Sequence, residues 1–86
     1  MTNCAHLKDA KESIEANTPQ GCEECLRDGT HWIQLRICLA CGHIGCCDSS
    51  LGKHATKHFK STGHPVMAEF PSRSWKWCYV DNDYVG

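Results

Sequence analysis

Hydrophobic and polar positions alternate most clearly from Trp32 to Ile37, through Trp-Ile-Gln-Leu-Arg-Ile. Aromatic and β-branched residues at that period predict a strand. It runs directly into Cys38-Leu-Ala-Cys41-Gly42. His43-Ile44-Gly45 predicts a second, short strand ending at Cys46. Pro65 to Phe70 and Trp75 to Val80 predict two more. The stretch from about Leu51 to Ser61 predicts a helix, with Asp48, Ser49 or Ser50 available to cap it and Gly63 then Pro65 to end it. Leu7 to Asn17 is polar and of helical composition, and Thr18-Pro19-Gln20-Gly21 breaks it. Leu26-Arg27-Asp28-Gly29 reads as a turn. No repeat or long linker interrupts the pattern. The expected architecture is α+β, a small mixed or antiparallel sheet with one main helix, in a single domain over residues 1–86.

A chain of 86 residues with two Phe, two Tyr and three Trp has little core to spare, and small scaffolds need staples. The staples show as spacing. Cys4-x-His6, Cys22-x2-Cys25 and Cys38-x2-Cys41 are close pairs, followed by Cys46, His54, His58, His64 and Cys78. Two residues between cysteines let both sulfurs converge on one tetrahedral ion. Four positions on a helix put His54 and His58 on the same side, yet each can face a different Cys pair. Asp81, separated from Cys78 by two residues, brings the candidate ligands to twelve, the number that three four-coordinate zinc ions require. Zinc would supply folding free energy on the order of 10 kcal/mol per structural site.

Other chemistries fit less well. Eight cysteines could form a secreted disulfide framework, but six histidines have no role in one, and the chain starts without a hydrophobic signal segment. A cytoplasmic location is therefore expected, where cysteine clusters more often bind metal. The mixture of thiolate and imidazole suits zinc better than an iron–sulfur cluster. A net charge of −1 argues against a nucleic-acid binder, and Lys53, Lys57 and Lys60 are explained by a solvated helix face. No apolar run is long enough to span a bilayer. A monomer is expected. The ligand groups close on themselves, whereas catalytic zinc keeps a position open for water. No HExxH helix or Ser-His-Asp order is present, and Cys47 beside Asp48 makes a poor nucleophile because an acidic neighbour raises a thiol pKa. The chain is thus expected not to be an enzyme.

The order CxH, CxxC, Trp-strand, CxxCG, Cys, HAxxH, His-Pro, Trp-Cys-Tyr resembles the UBP-type zinc finger over nearly the whole chain. The resemblance implies a compact α+β fold with up to three cross-braced zinc sites. It implies that Cys22, Cys25, Cys46 and His54 form one site and Cys38, Cys41, His58 and His64 a second. Cys4, His6, Cys78 and Asp81 would form the third, where three-zinc relatives carry a cysteine at the position of Asp81. Cys46 matches the family's spacing from Cys41, while Cys47 sits nearer His54 and stays an alternative. His31 and His43 are read as surface residues or supports of the ligands.

The same resemblance implies a pocket. Ubiquitin-reading members grip a free Gly-Gly tail between aromatic side chains and hold it with an Arg shortly after the third zinc cysteine. Trp32, Trp77, Tyr79 and Tyr84 stand where those aromatics stand. The Arg does not, because Cys46 is followed by Cys47-Asp48 and Asp48 would repel a carboxylate. Two functions follow as expectations: a module that binds a protein C-terminal tail or peptide other than by the ubiquitin-tail mode, or a structural or regulatory zinc protein with no ligand pocket.

Overall fold

The computed structural model describes residues 4–85. In chain order these form α1 (Ala5–Asp9), α2 (Glu23–Asp28), β1 (Leu35–Cys38), β2 (Ile44–Cys46), α3 (His54–Thr62), β3 (Val66–Phe70), β4 (Lys76–Cys78) and β5 (Asp83–Val85). The strands make one five-stranded antiparallel sheet in the order β2-β1-β3-β4-β5. No helix among the described residues is long and apolar enough to cross a membrane.

Register assigns the two faces of the sheet. Arg36 stands opposite Gly45 and Glu69, Met67 opposite Trp77, and Trp77 opposite Tyr84. Directly opposed residues share a face, so these line one side. Ile37, Ile44, Val66, Ala68 and Cys78 line the other, and with Leu7 and Leu39 they make the buried core.

The N-terminal segment covers that second face, in a form the polar pattern does not predict. The helix expected over residues 7–17 ends at Asp9. Beyond it the backbone pairs with the sheet's loops: the Lys11 amide donates to the Leu39 carbonyl at 3.0 Å, and Asn17 to Gly42 at 2.9 Å. Ala10, Ile14 and Ala16 pack on the core from this irregular strap. Tertiary hydrogen bonds replace the helical ones that a marginal sequence cannot hold alone.

Helix α3 lies on the first face, against β2. A Cβ on Gly45 would come within 2.5 Å of the Ala55 backbone nitrogen, so only glycine lets the helix approach this closely. The helix starts later than expected, at His54, because its anticipated caps are used elsewhere. Ser50 Oγ accepts from the Ile33 amide at 2.8 Å, and Asp48 Oδ1 accepts from the Thr56 hydroxyl at 2.6 Å. Cys46 Sγ instead accepts the first helical amide, from His54, at 3.3 Å. Gly63 ends the helix in the left-handed region at φ 77°.

Three further elements differ from the sequence expectation. Leu26-Arg27-Asp28, expected as a turn, instead continues from Cys22-x2-Cys25 as the helix α2, with Cys22 Sγ accepting from the Cys25 amide at its start and Gly29 ending it. Strand β1 begins at Leu35, since the Trp32 ring turns aside to lie against Gly21. β5 is an additional three-residue edge strand, too short to carry a periodic signal.

Gly45→Ala should destabilise the fold by about 1–3 kcal/mol, the usual cost of forcing a group into a packed contact. Denaturant unfolding of the zinc-loaded protein measures it. An unchanged midpoint would mean that α3 can shift away without cost.

Candidate metal centres and the groove beside them

The ends of three elements bring together the first group. Cys22 and Cys25 come from the start of α2, Cys46 from the end of β2 and His54 from the start of α3. His54 Nδ1 lies 3.3 Å from Cys22 Sγ, 3.4 Å from Cys25 Sγ and 3.3 Å from Cys46 Sγ. A tetrahedral zinc ion with ordinary bond lengths would set these separations at about 3.5 Å. The donor geometry therefore fits the ion. All three cysteines are fully buried. Burial pushes the Cys22 thiol up to about 12, against the opposing hydrogen bond from the Cys25 amide and with the Cys25 and Cys46 side chains adding to the rise. An arriving ion must displace that proton, so loading competes with acid. Gly52 was not singled out from the sequence, yet a Cβ there would sit 2.3 Å from His54 Cε1. The loop can cross the imidazole only at a glycine.

The second group joins the end of β1 to α3 and to the residue after Gly63. Cys38 Sγ lies 3.5 Å from His64 Nδ1, and Cys41 Sγ 3.4 Å from His58 Nε2. His43 is buried beside it, its ring stacked on that of His58 at 4.0 Å with planes 2° apart. His43 Nε2 in turn contacts Glu24 Oε2 at 2.8 Å. Burial opposes ionisation of Glu24, but the hydrogen bond to His43 prevails and holds its pKa below the ordinary value. Glu24, between the cysteines of the first pair, thus braces His43, which in turn stacks on His58 of the second group. His31 is exposed.

The third group ties the N-terminus to the region after β4. Cys78 Sγ lies 3.5 Å from His6 Nδ1, and Asp81 Oδ2 lies 3.2 Å from the same nitrogen. Cys4 Sγ donates to Asp81 Oδ2 at only 2.8 Å, closer than the roughly 3.5 Å a shared zinc ion would impose. Burial, then this hydrogen bond, pushes the Cys4 thiol up to about 11. The Cys4 thiol in turn holds the Asp81 carboxyl below its usual range. His6 and Asp81 side chains are 43% and 45% exposed, so this group is the least enclosed.

All twelve residues expected as ligands assemble in fours, with the ligand atoms of each group within 4.8 Å of one another. These groups could hold zinc ions. Cys47 stands apart from them, its Sγ 3.6 Å from Ser50 Oγ.

A groove of about 340 Å³ opens beside the first group, lined by Arg36, Asp48, Met67, Trp75, Trp77 and Tyr79 among others. Two of the four aromatics expected there are present. Trp32 is instead drawn to the cluster of Cys22, Cys25 and Cys46. Tyr84 pairs with Trp77 across the sheet but stays 64% exposed on the edge strand, outside the lining. Trp75 was missed, although its spacing of two from Trp77 is a strand signal for a shared face. Arg36 and Arg73 are the two residues that the sequence offers in place of the absent Arg; only Arg36 lines the groove, over the Trp75 ring at 4.7 Å from the centroid, a place that depends on strands far apart in sequence. The Tyr79 ring stacks on Phe59 at 4.6 Å, and burial raises its phenol pKa, so it stays neutral near pH 7.

Fold and donor groups together define a small α+β module cross-braced by Cys/His clusters suited to zinc. Residues 22–86 match the family described as Zn-finger in ubiquitin-hydrolases and other protein, and the chain belongs to this UBP-type zinc-finger family. The chain is 30% identical to ubiquitin carboxyl-terminal hydrolase 44 of Ailuropoda melanoleuca, over 99% of its own length and 12% of that protein. It is 39% identical to BRCA1-associated protein of Homo sapiens, over 79% of its length and 11% of that protein. It therefore spans about an eighth of these curated relatives or less. The solution NMR structure of protein RPA1320 from Rhodopseudomonas palustris superposes with a TM-score of 0.87 at 46% identity, covering 98% of this chain and 81% of that one.

Native mass spectrometry should find zinc-loaded chain, and chelation should unfold it, because the core is small and the donor groups span the chain. A chain that stays folded without metal would overturn this. Asp81→Ala should remove one zinc and loosen the N-terminal segment while the other two ions persist. Unchanged stoichiometry would exclude Asp81 as a ligand.

Proposed function

We propose that this chain is a non-catalytic binding module, built on zinc held by the three groups of four, whose groove receives a protein C-terminal tail or peptide. The observation that carries this reading is the groove itself. Its aromatic walls are half-buried, presenting ring surface to the opening rather than spending it all in the core. A purely structural finger would bury those rings. Closed groups of four donors, three of them thiolates in the first, support a structural role for the metal rather than hydrolytic chemistry.

The family's ubiquitin-tail mode is not the expected use of this groove. Asp48 lines it where ubiquitin readers carry the Arg that meets the tail carboxylate. The Thr56 hydroxyl donates to this carboxylate at 2.6 Å, which fixes its place on the groove wall. Removing a charged hydrogen bond and opposing an anion with an anion should together weaken such binding by about two to four orders of magnitude.

Titration of ubiquitin, intact and lacking its Gly-Gly tail, against the isotope-labelled zinc-loaded chain tests this. Neither form should shift the groove residues at low micromolar concentration. Tail-dependent binding in that range would show that the swap at position 48 does not decide the partner.

A further inference from the structure

We propose that Arg36 is the cation that meets a terminal carboxylate in this groove, with Asp48 at the same groove disfavouring tails that carry an acidic residue just before the terminus. The inference rests on the reading of the groove as a site for a chain terminus, and it assigns the residues that would select the ligand.

Three observations carry it. First, among the residues that line the groove, Arg36 supplies the guanidinium, a planar fork of donors matched to a carboxylate. Second, that group is positioned in advance. It lies over the Trp75 ring at 4.7 Å, and one of its terminal nitrogens donates to the Leu35 carbonyl at 2.8 Å. A fork fixed by stacking and one backbone bond keeps its other N–H groups for a ligand and loses little freedom on binding. Third, the other arginine near the sheet's far end is committed elsewhere. Arg73 donates to the Glu12 carbonyl and lines a separate cavity with Ala68 and Lys76, on the opposite face from Met67 and Trp77.

Charge on the walls then sets a direction. Glu69 stands across from Arg36 in the register between β1 and β3, so the guanidinium is partly balanced but not enclosed. Asp48 belongs to the loop before α3, is exposed, and is held to the helix by the Thr56 hydroxyl. A tail whose carboxylate reaches Arg36 and whose preceding residue offers a basic side chain to Asp48 satisfies both charges, whereas a terminal Gly-Gly brings no cation to Asp48. A tail with an acidic residue before its terminus places two anions together.

The test uses zinc-loaded full chain and two pools of randomised hexapeptides, one with free C-terminal carboxylates and one amidated. NMR follows the Trp75 and Trp77 indole N–H groups and the Arg36 Nε–H. The free-acid pool should shift all three, and amidation should weaken the response about tenfold to a hundredfold. Arg36→Met should abolish the difference between pools, and Arg36→Lys should retain part of it. Asp48→Asn, at an exposed position that keeps an acceptor for Thr56, should strengthen the free-acid response several-fold. Equal responses to the two pools, or a preference for the free acid that survives in Arg36→Met, would overturn the role of Arg36 while leaving the groove as a peptide site. Silence to both pools would overturn the terminus reading along with it.

Discussion

Convergence of cysteine sulfurs and histidine nitrogens from distant parts of the chain is the constraint on which the rest of this structure depends. Cys4 and His6 meet Cys78 and Asp81, and Cys22 and Cys25 meet Cys46 and His54. No short loop joins these partners, so closing each group costs chain entropy that so small a core cannot offset alone. The sulfurs also serve the backbone. Cys22 Sγ accepts an amide at the start of α2, and Cys46 Sγ accepts the first amide of α3. They take the place of the Ser, Thr or Asp oxygen found at ordinary helix starts. Donor geometry and helix placement are thus one design, and neither moves without the other.

The sheet divides the labour between its faces. One face carries Ile37, Ile44, Val66 and Ala68 and is sealed by Leu7 and the strap after α1. The other carries α3, packed tightly at Gly45 and stacked through Phe59 on the Tyr79 ring, with the groove opening beside Trp75 and Trp77. The groove follows from this asymmetry. The first donor group pins the start of α3, the second pins its middle and end through His58 and His64, and the sheet beyond the helix stays uncovered. The Glu24–His43–His58 contacts link the first two groups, so the wall of the groove is braced from both.

On the proposed reading, charge within the groove would set this chain apart from the ubiquitin-reading pattern, since an acid at position 48 and a base at position 36 line it beside Trp75, Trp77 and Tyr79. A peptide site of that kind would gain specificity from what it repels as much as from what it attracts.

Much of this was legible in the linear pattern. The α+β class, four of the strands, the main helix and its Gly63 stop, and the twelve candidate donors could be read from pattern and spacing, because short-range geometry makes each CxxC pair converge; the partition into fours came with the family resemblance, and His54 and His58, one turn apart, go to different groups. The strap over residues 10–17 was not legible, because its backbone bonds go to Leu39 and Gly42 rather than to neighbours. The cap of α3 was misread for the same reason, since Ser50 bonds Ile33 and a sulfur takes the capping role. Trp32, Trp75, Arg36 and Tyr84 are equally plausible as groove residues in one dimension. Which of them face the opening is set by where β1 begins and by the register of β1, β3 and β4, and register is a property of paired strands that no single segment carries.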